Sequence, residues 1–416
     1  MIEAPPKRRV MVTGMGAVTP LGLSLEHSWR TCRAGEGAIA MHMLDASAFG
    51  PPAFQAPVAL VTGDPLPALE LALGKRLGSS LDRFAIYALA AAVEAIEDAG
   101  LDAASLSEAG VVFGHGIGGV HTQEAGYERF FGKRSPRQHP LTVPKVMVSA
   151  AVSAIAIEFG VHGPVFAVAS ACASSGHAIA QGALLIQAGL ADIVIVGGSE
   201  AIATPGGISA WEGLRAVSPT NCRPFSIGRD GMAIGEGAAA LILESFEHAS
   251  ERGARVRAEL AGVGMSSDAT HWTQPDLTGA LSAMRAACTQ ANILDEDEIL
   301  ISAHGTGTPL NDKNEARAIN DLFGERAENH SVIATKSAHG HLIGASSAVQ
   351  SALAIRALEE GMAPPILNYL GLDSECALNL VLGEARPILA RSALVNSFAF
   401  GGLNASLVFK TEVRQT

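Results

Sequence analysis

The sequence predicts an α/β protein in which short buried strands alternate with Ala-rich helices through both halves of the chain. Three observations carry this. Residues 165–168 read as a buried strand, 173–189 as a helix and 193–196 (Ile-Val-Ile-Val) as a second buried strand, giving a strand–helix–strand unit. From about residue 261 the alternation returns, with helices at 281–292, 314–323 and 345–359 and strands at 299–302, 332–334, 393–396 and 405–409. Finally, Ser170-Ala171-Cys172 before one Ala-rich helix is faintly echoed by Ser337-Ala338-His339 before another, which suggests duplication.

The remaining elements follow in order. Residues 9–16 form a strand ending in a glycine turn, followed by a short helix from Leu25. The stretch 40–77 mixes proline, glycine and short apolar runs without period and reads as surface loop. A strong helix spans 81–99, with Ser80 as N-cap and Gly100 beyond its end. After the strand 111–113, Gly114-His115-Gly116-Ile117-Gly118-Gly119 matches G-x-G-x-x-G. A dinucleotide site would need a helix opening there and an acidic residue ending the next strand about 20 residues on. No such strand follows, so these glycines read as a close-approach loop. Residues 146–159 suggest a helix, 211–229 a polar loop-like insertion, 238–243 an apolar strand, and another strand begins near Ala258.

With 416 residues, 48% hydrophobic and 17% charged, the chain is long enough for two cores. Glycines and charges interrupt every apolar run short of a membrane helix. The start, with Pro5, Pro6, Lys7, Arg8 and Arg9, lacks a signal-peptide core, so a cytoplasmic protein is expected. Cys32, Cys172, Cys222, Cys288 and Cys376 form no C-x-x-C pair, which argues against a disulfide framework or a thiolate zinc site. A net charge of −12 speaks against nucleic acid, whose binding rests on Lys and Arg neutralising phosphates.

Four stretches carry chemistry. Cys172 stands between a strand and a helix mouth, where backbone N–H groups and the helix dipole favour a thiolate. On that stretch alone it reads equally well as a small buried residue. Residues 303–312 (Ala-His-Gly-Thr-Gly-Thr-Pro-Leu-Asn-Asp), 335–344 (Thr-Lys-Ser-Ala-His-Gly-His-Leu-Ile-Gly) and 396–405 (Asn-Ser-Phe-Ala-Phe-Gly-Gly-Leu-Asn-Ala) each follow a strand. In open α/β sheets the carboxyl ends of strands face the ligand crevice, so these clusters are placed to converge. A thiol with two imidazoles and a lysine suits acyl transfer through a thioester, with the imidazoles bonding a developing oxyanion or enolate. The competing metal reading of His304 with His339 and His341 lacks carboxylates at a recognised spacing, and no metal is expected.

These motifs resemble those of the β-ketoacyl-acyl-carrier-protein synthases, the decarboxylating condensing enzymes, over nearly the whole chain. The resemblance runs from Thr13–Gly22 to Asn396–Ala405 through Ala171–Gly176 and the two histidine clusters. It implies a thiolase-like fold of two similar α/β halves in five layers (α-β-α-β-α). The division falls near residue 260, as 1–260 carrying the nucleophile and 261–416 carrying the His, Lys and Phe loops. It implies Cys172 as acyl acceptor, His304 and His341 as the pair acting on the malonyl thioester, and Lys336 as their support. Phe400 would be the gate, its N–H joining that of Cys172 in an oxyanion hole. Thr306 and Thr308 would bind the pantetheine arm, with Gly401 beside the substrate and Ile117 lining the acyl pocket.

The partners implied are acyl carrier protein with malonyl- and acyl-thioesters, docking on a basic patch for which Lys133, Arg134 and Arg215 are candidates, and a second copy of the chain. The only prosthetic group is the phosphopantetheine that the carrier brings, so no cofactor is expected. The chain departs from the pattern at Gln350, where a glutamate usually pairs with the lysine, leaving Glu315 for the Lys336 charge to lean on. It departs again at His339 for Thr and at Ala399 for Gly, and bulk at Ala399 is expected to stiffen the Phe400 gate. The last two changes resemble specialised synthases such as the nodulation-type enzymes. A non-condensing chain-length partner subunit is disfavoured by Cys172. A degradative thiolase is disfavoured by the lack of a cysteine near Phe400-Gly401-Gly402, and a dehydrogenase rests only on the glycine loop.

Overall fold

The computed structural model describes residues 8–45, 50, 53–78 and 80–411, so most of the Met1–Val10 start weighed above as a signal segment lies outside the described residues. Ten strands form one sheet: β1 (Val10–Val18), β2 (Gly110–Gly114), β3 (Val165–Val168), β4 (Ile193–Glu200), β5 (Gly237–Ser245), β6 (Ala258–Ser267), β7 (Leu300–Ser302), β8 (Ser331–Ile333), β9 (Ser392–Ala399) and β10 (Leu403–Lys410). The strand order is β8-β7-β9-β10-β6-β1-β5-β4-β2-β3. β1 and β6 share only two residue pairs, Met11 with Glu259 and Val12 with Ala258, so the sheet is two five-stranded sets meeting at a seam. Counted outward from that seam, one set runs β1-β5-β4-β2-β3 and the other β6-β10-β9-β7-β8. Each strand thus occupies the place of the strand five later. In both sets four strands run one way and one, β5 or β10, runs against them.

The helices repeat the same pattern. α1 (Arg83–Ala99) and α2 (Ala150–Phe159) cover the outer face of the first set, where Phe84, Leu89, Ile155, Val111 and Ile195 share a core. After α3 (Ser174–Gln187) and α4 (Pro205–Gly213) come α5 (Leu277–Ala291) and α6 (Pro309–Phe323), which cover the second set with Met284, Ile319 and Ile301. α3 and α7 (Ser346–Glu360) lie between the two sets, and their Ile179, Ile186, Leu353 and Ile355 join Val196 and Val395 in one central core. This is the five-layered, thiolase-like arrangement.

Close packing of strand on helix explains why the small residues recur. A Cβ on Gly14 or Gly16 of β1 would come within 2.2 and 2.3 Å of carbonyls of α1, and one on Gly262 or Gly264 of β6 within 2.1 and 1.9 Å of carbonyls of α5. Both pairs let a helix lie directly on a strand at equivalent places in the two halves.

Several local expectations are corrected. The 40–77 stretch is not mostly loop: Ala40–Leu44 and Phe54–Ala59 pair as strands and join Ile234–Gly235 in a small sheet, and Leu66–Leu73 is helical. Proline and glycine masked its period. The cap of α1 is Asp82, whose carboxylate accepts from the Phe84 N–H, rather than Ser80. The helix read over 146–159 is two pieces, Thr142–Val146 and α2. Trp211 sits in α4, whose first position Pro205 favours helix, and only the residues after it form the polar loop.

The duplication echo also falls elsewhere. The turn matching Ala171-Cys172-Ala173 is Ile343-Gly344-Ala345, since each is a 3₁₀ turn opening a central helix. The first residue of each has positive φ, 50° for Ala171 and 43° for Ile343. Among the described residues no helix is long and apolar enough to cross a membrane.

Candidate active site

β3, β7, β8 and β9 each deliver one cluster at their carboxyl ends, and the fold brings the clusters together as anticipated. Cys172 is buried in the turn between β3 and α3, and its sulfur lies within 4.8 Å of one ring nitrogen each of His304 and His341. The two imidazole rings meet edge to face with centroids 5.4 Å apart. A pocket of about 380 Å³ opens onto the three groups, walled by Thr306, Thr308, Phe398, Phe400, Gly401 and Trp272 among others. Burial pushes the Cys172 thiol up to about 11, against the lowering pull of the Lys336 charge and of the Phe400 and Cys172 N–H groups directed at the sulfur. The helix mouth therefore does not leave a resting thiolate, because desolvation outweighs the local dipoles.

Neighbouring donors fix the protonation pattern of both imidazoles. The Ile343 N–H donates to His341 Nδ1 at 3.1 Å, so that nitrogen is an acceptor and the ring proton sits on Nε2. Ser346 Oγ lies 2.9 Å from the same Nδ1, and Nε2 is buried without a partner. At His304 the Lys336 ammonium stands 3.3 Å from Nδ1, which likewise leaves Nε2 as the proton carrier. Both rings are held neutral, with pKa values well below the usual imidazole range, by burial first and then by the Lys336 charge. A nitrogen of each ring thus lies near the sulfur, and each ring carries one N–H able to meet a developing oxyanion.

The same tautomers suit a metal poorly. A Cys, His, His cluster of this size would suit zinc, but a ligating nitrogen must be free of its proton and its opposite nitrogen normally donates outward. Here both Nδ1 atoms receive hydrogen bonds instead. His339, the third histidine of the competing reading, points elsewhere: its Nε2 lies 3.0 Å from Thr335 Oγ1 and its Nδ1 2.8 Å from the Gly340 carbonyl.

The Lys336 charge leans on Glu315 through space, as expected, while its hydrogen bonds go elsewhere. The ammonium donates to the His304 carbonyl and to Gln350 Oε1, both at 2.7 Å, and not to Glu315. Glu315 instead accepts from the His304 and Gly305 N–H groups at 2.7 and 2.8 Å and so fixes the backbone that carries the imidazole. Gln350 passes its own amide N–H to the Ala303 carbonyl at 2.7 Å, a bond a carboxylate could not make. Burial lowers Lys336 to about 8, against the raising pull of the Glu315 charge, which no direct hydrogen bond strengthens. In a Gln350→Glu variant an anion would touch the ammonium and raise its pKa. Activity that needs the charged lysine is lost in the wild type as pH rises through about 8, and the falling limb of the pH–rate profile should move to higher pH in the variant. An unmoved limb would show that Lys336 does not set it.

The other expected residues fall into two groups. Thr306 and Thr308 line the pocket with hydroxyls 2.9 Å apart, and Arg215 stands exposed on its wall. Phe400 stacks on Trp211 with ring centroids 6.2 Å apart, a partner the sequence reading left in a loop. The Gly401 N–H donates to the Trp272 carbonyl at 2.7 Å, and Gly401 and Gly402 both have positive φ, a backbone that favours glycine at the turn beside the aromatic ring. Ala399 packs on Ala173 and Ala405 around the nucleophile turn.

Lys133, Arg134 and Ile117 are not brought to this pocket. Lys133 pairs with Glu128 at 3.3 Å, and Ile117 is half exposed. A helix does open after the glycine loop, at Val120–Tyr127, yet the Gly116 and Ile117 N–H groups are occupied by the Glu200 carboxylate, so the loop offers no phosphate cradle.

Comparison with known proteins agrees with this geometry. The family model for the β-ketoacyl synthase N-terminal domain matches residues 7–249, and that for the C-terminal domain matches residues 257–370. The chain is 40% identical over 406 residues to nodulation protein E of Rhizobium meliloti strain 1021, covering 97% of this chain and 99% of that protein. It is 36% identical over 413 residues to 3-oxoacyl-[acyl-carrier-protein] synthase 2 of Staphylococcus aureus strain COL, covering 97% and 98%. A β-ketoacyl synthase crystal structure from Burkholderia phymatum superposes with a TM-score of 0.87 at 32% identity, covering 98% of this chain and all of that one.

Proposed function

The chain belongs to the β-ketoacyl synthase family and is a condensing acyltransferase, and from that premise we propose that it joins an acyl group held on Cys172 to a malonyl unit, both delivered by acyl carrier protein. The observation that carries the site assignment is the convergence of one thiol and a ring nitrogen from each of two neutral imidazoles within 4.8 Å on a single pocket.

In the first stage the Cys172 sulfur attacks the thioester carbonyl of the incoming acyl group. Because Nε2 of both imidazoles already carries a proton, the thiol proton ends directly on the departing carrier thiol as the old C–S bond breaks. In the second, the malonyl carbon–carboxylate bond breaks, carbon dioxide leaves, and the electron pair forms an enolate whose oxygen accepts from His304 and His341. The enolate carbon attacks the Cys172 thioester, where the N–H groups of Cys172 and Phe400 hold the oxyanion. Collapse expels the Cys172 thiolate, which takes a proton from solvent, and yields a 3-oxoacyl thioester on the carrier. Thr306 and Thr308 are placed to hydrogen-bond the pantetheine arm, which is the carrier's own group, so the reaction needs no other cofactor.

A type II polyketide ketosynthase solved with its acyl-carrier protein, 29% identical with a TM-score of 0.87, supports the choice of partner, and Arg215 is the basic residue at the mouth. We read the pathway as specialised acyl-chain synthesis on the fatty acid pattern, since Ala399 and His339 depart from the housekeeping residues and nodulation protein E is similar along its full length. The edge strand β3, read from sequence as buried, is half exposed, with Phe166 open to solvent and Ile157 and Leu184 beside it. An unpaired apolar edge supports a homodimer formed by strand addition, and a solution mass of one chain would remove that part of the reading. The free, buried cysteines fit a reducing cytoplasm.

The test is to supply acyl carrier proteins loaded with chains of different length and digest the protein for mass spectrometry. The acyl mass should appear on the peptide that holds Cys172, with one chain class favoured. An adduct on another residue, or none with any chain, would overturn the assignment.

A further inference from the structure

Glu200 has no part in the chemistry above, yet it is fully buried at the end of β4 behind the nucleophile. Its Oε2 accepts from the Gly116 N–H at 2.6 Å and the Gly344 N–H at 3.0 Å, and its Oε1 from the Ile117 N–H at 3.3 Å. Among the described residues no lysine or arginine pairs with it, so backbone donors from two distant segments hold the carboxylate. One segment is the glycine loop. Its His115 carbonyl accepts from Ser174 Oγ at 3.2 Å, and the same hydroxyl donates to the Ala171 carbonyl at 2.6 Å, so the loop is tied to the turn that holds Cys172. The other is the Ile343–Ala345 turn, whose Ile343 N–H sets the tautomer of His341. There is no spare room: a Cβ on Gly116 or Gly344 would approach Glu200 Oε2 at 2.5 or 2.8 Å.

We propose that Glu200 is a positioning residue, the brace that sets His341 against Cys172 by clamping the nucleophile-side glycine loop to the imidazole-bearing turn. This rests on the condensing reading but assigns a residue that the reaction does not touch. A buried anion is costly, and several charge-assisted hydrogen bonds are the condition for keeping one. The positive φ of Ile343 shows a turn that needs outside support, and the Glu200 carboxylate supplies that support from the opposite half of the molecule.

Two variants separate position from charge. Glu200→Gln keeps the shape but turns an N–H₂ group toward backbone donors, and Glu200→Asp keeps the charge but falls short by one methylene. Both should fold, with melting temperatures near that of the wild type. Both should slow malonyl decarboxylation by on the order of tenfold to a hundredfold, chiefly in kcat, as a misplaced catalytic group does.

The alkylation rate of Cys172 with iodoacetamide, followed against pH, then distinguishes the two. The charged or titratable groups facing the sulfur are His304, His341, Lys336 and Glu200, and Glu200 raises the thiol pKa. The Gln variant should therefore alkylate at lower pH than the wild type while decarboxylating more slowly, and the Asp variant should keep the wild-type alkylation profile. General damage to the site would not speed one reaction and slow the other. Wild-type decarboxylation in both variants would overturn the brace and leave the condensing reading intact. A wild-type protein that never acylates Cys172 would instead overturn that reading.

Discussion

A Cys172→Ala variant should lose condensation altogether, by on the order of 10⁴-fold or more, while still releasing carbon dioxide from malonyl carrier protein. The two stages use different groups. Acyl transfer needs the sulfur, because no other nucleophile lies among the converging side chains and a methyl group cannot form a thioester. Decarboxylation needs a sink for the electron pair, and the Nε2–H groups of His304 and His341 keep their orientation without the thiol, since Lys336 and the Ile343 N–H set it from behind. Mass spectrometry of the variant after exposure to acyl carrier protein reads the first effect, and labelled carbon dioxide release reads the second. An acyl adduct surviving on the variant would mean that another residue is the nucleophile.

His341→Ala should give the opposite pattern. Removal of one donor from a preorganised oxyanion site typically costs about 10²–10³ in rate, and decarboxylation should fall by that amount. Cys172 should still take up an acyl group, because the N–H groups of Cys172 and Phe400 that face the first-stage oxyanion belong to the backbone. The imidazole is neutral at working pH, so the loss is of a hydrogen-bond donor and not of a charge. Asparagine or glutamine at the position should therefore recover part of the rate wherever its amide reaches the same point. Undiminished decarboxylation in both the His341 and the matching His304 variant would remove the pair from the mechanism.

The parts of the site legible in the sequence are those where chemistry and chain position coincide. Cys172, His304, Lys336, His341 and Phe400 each lie a few residues beyond a strand, and strand ends in parallel sheets meet at one crevice, so local pattern was enough to group them. Glu200 also ends a strand, yet nothing near it in sequence tells a buried brace from an acid in solvent, because its donors lie 84 and 144 residues away. Trp211 was hidden because a helix begun by proline and two glycines looks like loop. Gln350 was read as a missing charge, whereas the structure shows it accepting a hydrogen bond from the lysine on one side and donating one to the Ala303 carbonyl on the other. The duplication was visible in part: Ala173-Ser174-Ser175 and Ala345-Ser346-Ser347 open α3 and α7, a closer match than the Ser337 echo.

The pocket described above has one further consequence, for kinetics. The sulfur and both imidazoles open onto a single chamber of about 380 Å³, at the small end of pockets that hold one small ligand. On the proposed reading, two carrier-borne arms compete for this one chamber. The first carrier should then discharge and depart before the second enters, so double-displacement kinetics are expected, with an acyl-enzyme that outlasts the exchange. Phe400, lying over Trp211 beside that sulfur, is placed to shield the thioester from water during the exchange.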